Sequence, residues 1–259
     1  MKMEDGSNHV QLSLKAADAK FGTVRTKKAA LAEVKQIHMR NTFVPKHWNE
    51  LTPKQKEQVL EAFMFVEQKK SDKDKGRLVI NGKMQRGHIT KEEASSPTAS
   101  ADAILLTSVI DALERRDVAT VDIPNAFVQT VVAEAEKDYR VIVRLRGRIE
   151  DILCEIAPEV YLPYVTVNKK GEKILIVQCL NALYGTMVAS LLYYKKFVKS
   201  LERHGFKLNP YDPCVANKTV DGSVLTVCFH VDDCKISHKS DLGSYLRLTI
   251  TGGKIMSLF

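Results

Sequence analysis

Three carboxylates in this chain stand next to apolar residues. Asp122 lies near the end of a run of Val and Ile residues, and Asp232 and Asp233 lie at the tip of a predicted hairpin with apolar arms. A carboxylate is costly to desolvate, so one on a buried strand usually has a partner. If the two strands are neighbours, the three carboxylates converge and repel one another unless cations bind. Hard oxygen ligands favour Mg²⁺ or Mn²⁺, the ions that clamp the attacking and leaving oxygens in phosphoryl transfer.

A simpler explanation of the same residues stays open. Asp-Asp is a good turn dipeptide, and Asp122 could face water just before Pro124. Periodicity does not prove that the two strands are neighbours. Composition and spacing alone therefore leave open both a metal site and a plain turn.

The elements that would position these carboxylates are predicted from periodicity and turn residues. Strands are predicted at 63–66, 77–80, 118–123, 139–145, 174–177, 224–230 and 234–237, with a charged turn at 69–74. Helices are predicted in pieces over 14–39, from 52 to about 61 or 62, at 101–115 and at 187–204. Around the acidic strands, this order suits an α+β fold of the split-βαβ kind, with helices on one face of the sheet.

Composition excludes several classes of protein. The chain has 259 residues, of which 44% are apolar and 27% are charged, with a net charge of +8. Collagen-like, low-complexity and fully disordered chains are excluded, and the positive charge gives weak support for a polyanionic partner. No apolar run reaches the length of a transmembrane helix and no signal peptide is visible, so we expect no membrane association and an intracellular, reducing location.

The cysteines predict neither a zinc site nor a disulfide framework. Their number is odd and no two form a C-x-x-C pair, so buried free thiols are the simplest interpretation. The five are Cys154, Cys179, Cys214, Cys228 and Cys234.

A series of short segments resembles one family. The segments are 121–127 (VDIPNAF), 183–185 (LYG) with 193–194 (YY), 209–215 (NPYDPCV) and 229–233 (FHVDD), preceded by 75–79 (KGRLV) and 96–98 (SPT). In this order they resemble the fingers region and polymerase motifs of copia-type retrotransposon reverse transcriptases, over roughly residues 50–240. Each segment alone is weak evidence, but their common order is specific.

The resemblance implies a polymerase made of fingers and palm. It implies an N-terminal helical or linker segment at 1–45, a fingers-like region at 46–116 and a palm-like catalytic region at 117–245. The palm would be a split-βαβ (ferredoxin-like) antiparallel sheet, and 246–259 a truncated strand segment. The thumb would be absent or vestigial, so we expect a fragment of a longer polyprotein or a degenerate copy.

The resemblance also implies a two-metal site. Asp122 and Asp232 would bind Mg²⁺ or Mn²⁺, Asp233 would complete the acidic cluster, and the backbone of Ile123 would also face a metal. The partners would be an RNA or DNA template with its primer and a dNTP. The location would be the cytoplasm, a virus-like particle or the nucleus.

A nucleotide-binding set follows from the same resemblance. Lys75 and Arg77 would neutralise the triphosphate, the amides of Asn125 and Ala126 would meet it, Phe127 would lie under the incoming sugar, and Tyr184 and Gly185 would lie beside the new base pair. Each has a plain alternative. Phe127 would otherwise be a core aromatic, Tyr184 half-buried packing, and the two basic residues a solvated hairpin edge.

Departures from the family pattern keep two alternatives open. The polar continuation of the second motif is replaced by 187–191 (MVASL), and His230 stands where Tyr is usual. One alternative is an inactive remnant that still binds nucleic acid through its basic fingers surface. The other is an unrelated α+β interaction domain in which Asp-Asp only forms a turn.

Overall fold

The computed structural model describes residues 11–68, 74–132 and 139–239. The chain forms two compact units, each built from two stretches of sequence. The described residues of unit 1 lie within 1–90 and 127–189, and those of unit 2 lie within 91–126 and 190–259. Among the described helices, none combines the length and apolar character needed to cross a membrane. The predicted boundaries at 45, 116 and 245 rest on the polymerase resemblance and stay predictions.

The fold is a mixed α+β arrangement. The strands are β1 (Gln11–Ser13), β2 (Phe43–Lys46), β3 (Leu60–Gln68), β4 (Asp74–Ile80), β5 (Asp117–Asp122), β6 (Ile142–Arg146), β7 (Val165–Val167), β8 (Lys173–Cys179), β9 (Lys207–Leu208), β10 (Val215–Val220), β11 (Ser223–His230) and β12 (Asp233–His238). The helices are α1 (Leu14–Phe21), α2 (Thr23–Met39), α3 (Pro53–Glu57), α4 (Lys91–Ala94), α5 (Ala101–Leu113), α6 (Arg148–Ile156), α7 (Pro158–Tyr161) and α8 (Ala189–Arg203).

Unit 1 is built on a seven-stranded sheet. Its main path is β1-β3-β6-β8-β2, with β4 paired to β3 and β7 paired to β8. The β3–β6 pair is parallel, whereas the other strand pairs in this sheet are antiparallel. Helices α2 and α6 pack beside the sheet and bury Val34, Ile37 and Leu153 together with Leu78 and Leu145.

Unit 2 is built on a five-stranded antiparallel sheet in the order β5-β12-β11-β10-β9. Because β12 is antiparallel to both β5 and β11, the latter two strands run parallel with β12 between them. Helix α8 lies between β5 and β11 in the chain. This is the connectivity of a split βαβ unit.

The two long helices of unit 2 pack on opposite faces of this sheet. From α8, the Phe197 ring meets the Phe229 ring of β11 edge to face, with 4.8 Å between centroids. From α5, the Asp111 carboxylate accepts from the ammonium of Lys235 at 2.8 Å, and Lys235 lies directly opposite Cys228, the preceding residue of β11. Because adjacent strand residues point to opposite faces, the prediction of helices on one face only is wrong.

Two other predictions from the sequence are corrected. The helix that begins after Thr52 ends at Glu57, and β3 begins at Leu60, where it pairs in parallel with β6. The strands predicted at 139–145 and 174–177 do form, but they belong to the sheet of unit 1. The other predicted strands and helices are confirmed within a few residues, apart from the turn at 69–74, which lies almost wholly outside the described residues.

The five cysteines are free thiols, as predicted. Four of them are buried, and Cys154 is half-buried. Burial and a hydrogen bond to Glu150 raise the pKa of Cys154 to about 12, so the most accessible of these thiols is a poor nucleophile at neutral pH.

Candidate acidic site

The register of the unit 2 sheet brings the predicted acidic residues together. Asp122, the last residue of β5, lies directly opposite Asp233, the first residue of β12. The pairing continues one step further, because the amide of Ile123 donates to the carbonyl oxygen of Asp232 at 3.0 Å. Asp122 and the pair Asp232 and Asp233 therefore meet at one end of the same sheet.

Two like charges face each other across this strand pair. Residues opposite each other on neighbouring strands share a face, and like charges in that arrangement are destabilising. His230 lies opposite Asp233 on the other side, so the row across three strands is His230, Asp233, Asp122. Asp122, Asp233 and His230 are exposed, and Asp232 is half-buried. Water, a cation or a cationic ligand can therefore reach the row.

The thiol of Cys234 lies close enough to sense all three carboxylates. Burial, together with the negative charges of Asp233, Asp232 and Asp122, raises the pKa of Cys234 to about 12. All three carboxylates therefore lie near this buried thiol.

The donor chemistry of the acidic cluster formed by Asp122, Asp232 and Asp233 suits a hard divalent cation. Carboxylate oxygens are the ligands that Mg²⁺ and Mn²⁺ prefer. In the described parts of the chain, however, no three or more His, Cys, Asp or Glu side chains are arranged as a metal-binding group. The acidic cluster is therefore a pair of facing carboxylates with a third at the hairpin tip, and not a closed ligand cage.

The hairpin that carries the acidic pair has a strained tip. His230 pairs with Asp233, so the loop contains only Val231 and Asp232. Val231 has φ 57°, in the left-handed region. A two-residue hairpin with a positive φ at its first loop residue normally has Gly, Asn or Asp there, and a β-branched residue in this region is an outlier.

Both sides of the hairpin are anchored within unit 2. On one face, the rings of Tyr194 and Phe197 pack against Phe229. On the other face, the Lys235 ammonium donates to Asp111 Oδ2 at 2.8 Å, and both side chains are largely buried. This largely buried ion pair joins β12 to α5.

Asp212 is a structural residue of unit 2 to which the sequence analysis gave no role. Its Oδ2 accepts from the amide and the hydroxyl of Ser100 at 3.0 and 2.8 Å, and its Oδ1 accepts from the amide of Cys214 at 2.8 Å. Ser100 is the N-cap of α5. Asp212 therefore joins the start of α5 to the start of β10.

Four of the predicted nucleotide-binding residues meet within unit 1. The Phe127 and Tyr184 rings are edge to face with 4.9 Å between centroids, and the Arg77 guanidinium lies 5.7 Å from the Tyr184 ring. Gly185 has φ +87° and packs so tightly on Ile80 that a Cβ would overlap its carbonyl oxygen. This contact explains why glycine follows Tyr184.

The positive charge of Arg77 is balanced by a neighbour. Its Nε donates to Glu67 Oε2 at 3.1 Å, and Lys75 lies directly opposite Glu67 on β3. Burial alone would lower the pKa of Arg77, but the hydrogen bond and charge of Glu67 raise it above its usual value. A triphosphate would therefore have to compete with Glu67 for this guanidinium.

The remaining nucleotide-binding predictions, Asn125 and Ala126, belong to unit 2. Asn125 has φ 57°, a conformation that Asn adopts more readily than most residues, and Ala126 is buried. The roles of the seven residues of the predicted nucleotide-binding set stay predictions.

Comparison with known proteins adds no family to this geometry, since no protein-family model and no curated protein matches the chain.

Proposed function

We propose that this chain is the fingers-and-palm core of an RNA-directed DNA polymerase of the copia retrotransposon type. The observation that carries the proposal is the pairing of Asp122 with Asp233 beside Asp232 on a two-residue hairpin. The split βαβ connectivity of unit 2 supports it, because the resemblance implies that connectivity for the palm. The sequence motifs around this pairing, in the order that the family has them, are the reason for proposing nucleotidyl transfer to a primer.

In this proposal Asp122 and Asp232 would hold Mg²⁺ or Mn²⁺, and Asp233 would complete the negative charge. The bound ions would lower the pKa of a primer 3′-hydroxyl and stabilise the leaving pyrophosphate. The protein's own part is to hold the carboxylates on a rigid sheet edge. Lys235 and Phe229 do so by fixing β12 and β11 to the flanking helices.

The test is primer extension on poly(rA)/oligo(dT) with Mg²⁺ and then Mn²⁺. We expect Asp122→Asn and Asp232→Asn each to reduce incorporation by at least about a thousandfold, equivalent to roughly 4 kcal/mol of lost transition-state stabilisation. Asp221→Asn is the matched control, because Asp221 occupies the other two-residue hairpin of the same sheet. It should leave incorporation unchanged.

Two results would contradict the proposal. Full activity of Asp232→Asn would show that the acidic cluster of Asp122, Asp232 and Asp233 is not the site. A folded parent protein that incorporates no dNTP with either ion would contradict a polymerase. If that protein still bound nucleic acid in EDTA with strong salt dependence, a remnant that binds through its basic fingers surface would be favoured instead.

A further inference from the structure

Helix α5 turns its apolar side outward. Its buried residues are the polar Thr107 and Asp111. Most of its large apolar residues are exposed, among them Leu105 by 65%, Leu106 by 62%, Val109 by 54% and Leu113 by 79%. A surface helix usually does the reverse, and a contiguous apolar surface of this kind marks an interaction site.

The apolar surface continues beside the helix. A groove of about 840 Å³ runs between α5 and strands β10 and β11 within unit 2. Leu106, Ile110 and Val224 contribute apolar walls to the groove, and Tyr211, at 96% exposure, also lines it. In a two-fold symmetric interface each copy presents the same surface, so that surface must be complementary to itself. A patch with both a ridge and an adjoining groove meets this requirement.

The sequence of α5 is self-complementary about Val109. In an antiparallel pair of α5 helices centred on Val109, Leu105 of one copy lies opposite Leu113 of the other, four residues to either side. Leu106 lies opposite the small Ala112, three residues to either side. Leu106 can therefore pack over Ala112 of the other helix, as interdigitated helix packing requires, and the Leu105–Leu113 pairs add apolar contact on either side.

Charge favours the same antiparallel arrangement. Asp102 is exposed in the first turn of α5, and Arg115 is exposed just after its last turn. Antiparallel pairing about Val109 brings Asp102 of each copy to within one residue of the position opposite Arg115 of the other. It also sets the positive end of each helix dipole beside the negative end of the other. A parallel pair would bring like charges together.

We infer that the outward face of α5 is a homodimer interface, occupied by α5 of a second copy of this chain. The inference is independent of the proposed polymerase activity. One helix pair buries less than the roughly 800 Å² per partner of a standard interface, so we expect dissociation in the micromolar range.

Sedimentation equilibrium of the full chain over about 1–100 μM tests the inference, since this range brackets micromolar dissociation. The expected mass rises with concentration from 29.1 kDa towards twice that value. Val109→Glu places two carboxylates on the two-fold axis and should weaken the dimer at least about a hundredfold. Val24→Glu is the matched control, because Val24 is 86% exposed on α2 of unit 1, and it should leave the dimer unchanged.

A charge exchange makes the test specific for the arrangement. Asp102→Arg alone and Arg115→Asp alone should each weaken the dimer about tenfold, and the double variant should restore it. A chain that stays monomeric over the whole range overturns the inference, as does a dimer that Val109→Glu leaves intact. A dimer that the double variant fails to restore overturns the antiparallel pairing.

Discussion

Removal of the Asp212 carboxylate should loosen unit 2 by a predictable amount. Asp212 is 8% exposed, and its carboxylate accepts hydrogen bonds from Ser100 and Cys214. Asp212→Ala leaves the amide of the fully buried Cys214 without this acceptor, a loss of about 1–3 kcal/mol. Ser100 is exposed, so water replaces part of its two bonds, and we add about 1 kcal/mol for them. The expected total is about 2–4 kcal/mol.

A second substitution separates charge from hydrogen bonding. Asp212→Asn keeps an oxygen for the Cys214 amide but turns an NH₂ group towards the Ser100 donors. We therefore expect about half the loss of Asp212→Ala. Glu202→Ala, an exposed change on α8, should stay within about 0.5 kcal/mol of the parent protein.

The assay is urea unfolding followed by far-UV circular dichroism and, in parallel, by fluorescence. Trp48 is the single tryptophan and belongs to unit 1, so its fluorescence reports that unit. Hydrogen exchange of the β10–β11 peptides locates the effect in unit 2. The reasoning fails if Asp212→Ala unfolds within about 0.5 kcal/mol of the parent, a difference expected for ordinary surface substitutions.

The stability that Asp212→Ala loses should depend on pH in a definite direction. Burial alone would raise the pKa of Asp212, but the hydrogen bonds from Ser100 and Cys214 hold it below the usual value. A depressed pKa in the folded state gives stability that is present above the unfolded-state pKa and is lost as pH falls through the folded-state pKa. The difference between parent and Asp212→Ala should therefore shrink on acidification.

Two further predictions concern unit 1. Gly185→Ala should destabilise unit 1 by at least about 3 kcal/mol, because the new Cβ overlaps the Ile80 carbonyl at a positive φ. The control Gly171→Ala, with φ +78° and open space around the Cβ, should cost only about 1 kcal/mol. Equal melting temperatures of the two variants would contradict this difference. Burial raises the pKa of Glu33, so its ionised form destabilises the folded protein at neutral pH. Glu33→Gln keeps an acceptor for the Leu78 amide and should therefore stabilise the protein by about 1 kcal/mol at neutral pH. Urea titrations at several pH values should show this gain vanish below the unfolded-state pKa of Glu33.

The sequence predicted the acidic strands because their signals are local. A β-branched run ending before Pro124 gives β5, and the apolar arms around the Asp pair give β11 and β12. The prediction that β5 lies beside the β11–β12 hairpin depended on the family resemblance and on the argument that the carboxylates share a cation, since no local pattern encodes which strands are neighbours. The register that places Asp122 opposite Asp233 is the part of the candidate site that most needed the structure.

Other features escaped prediction because they depend on distant contacts. The apolar spacing of α5 correctly predicted a helix but not that its apolar side faces outward. Thr52 and Gln55 correctly marked a helix start, but the parallel pairing of Leu60 with Val143 ends that helix early. Asp212 has its partner Ser100 112 residues away in the chain, so no spacing rule could connect them.

The two hairpins of the unit 2 sheet argue against the acidic pair being only a turn. The β10–β11 loop is Asp221-Gly222, with φ 49° and 74°, a dipeptide well suited to a tight hairpin. The β11–β12 loop has the same length but places Val231 in the left-handed region, which costs about 1–3 kcal/mol. Strain of this size, next to facing like charges, persists only where the surrounding structure imposes it. Such a tip is typical of a functional site rather than of a simple connection between strands.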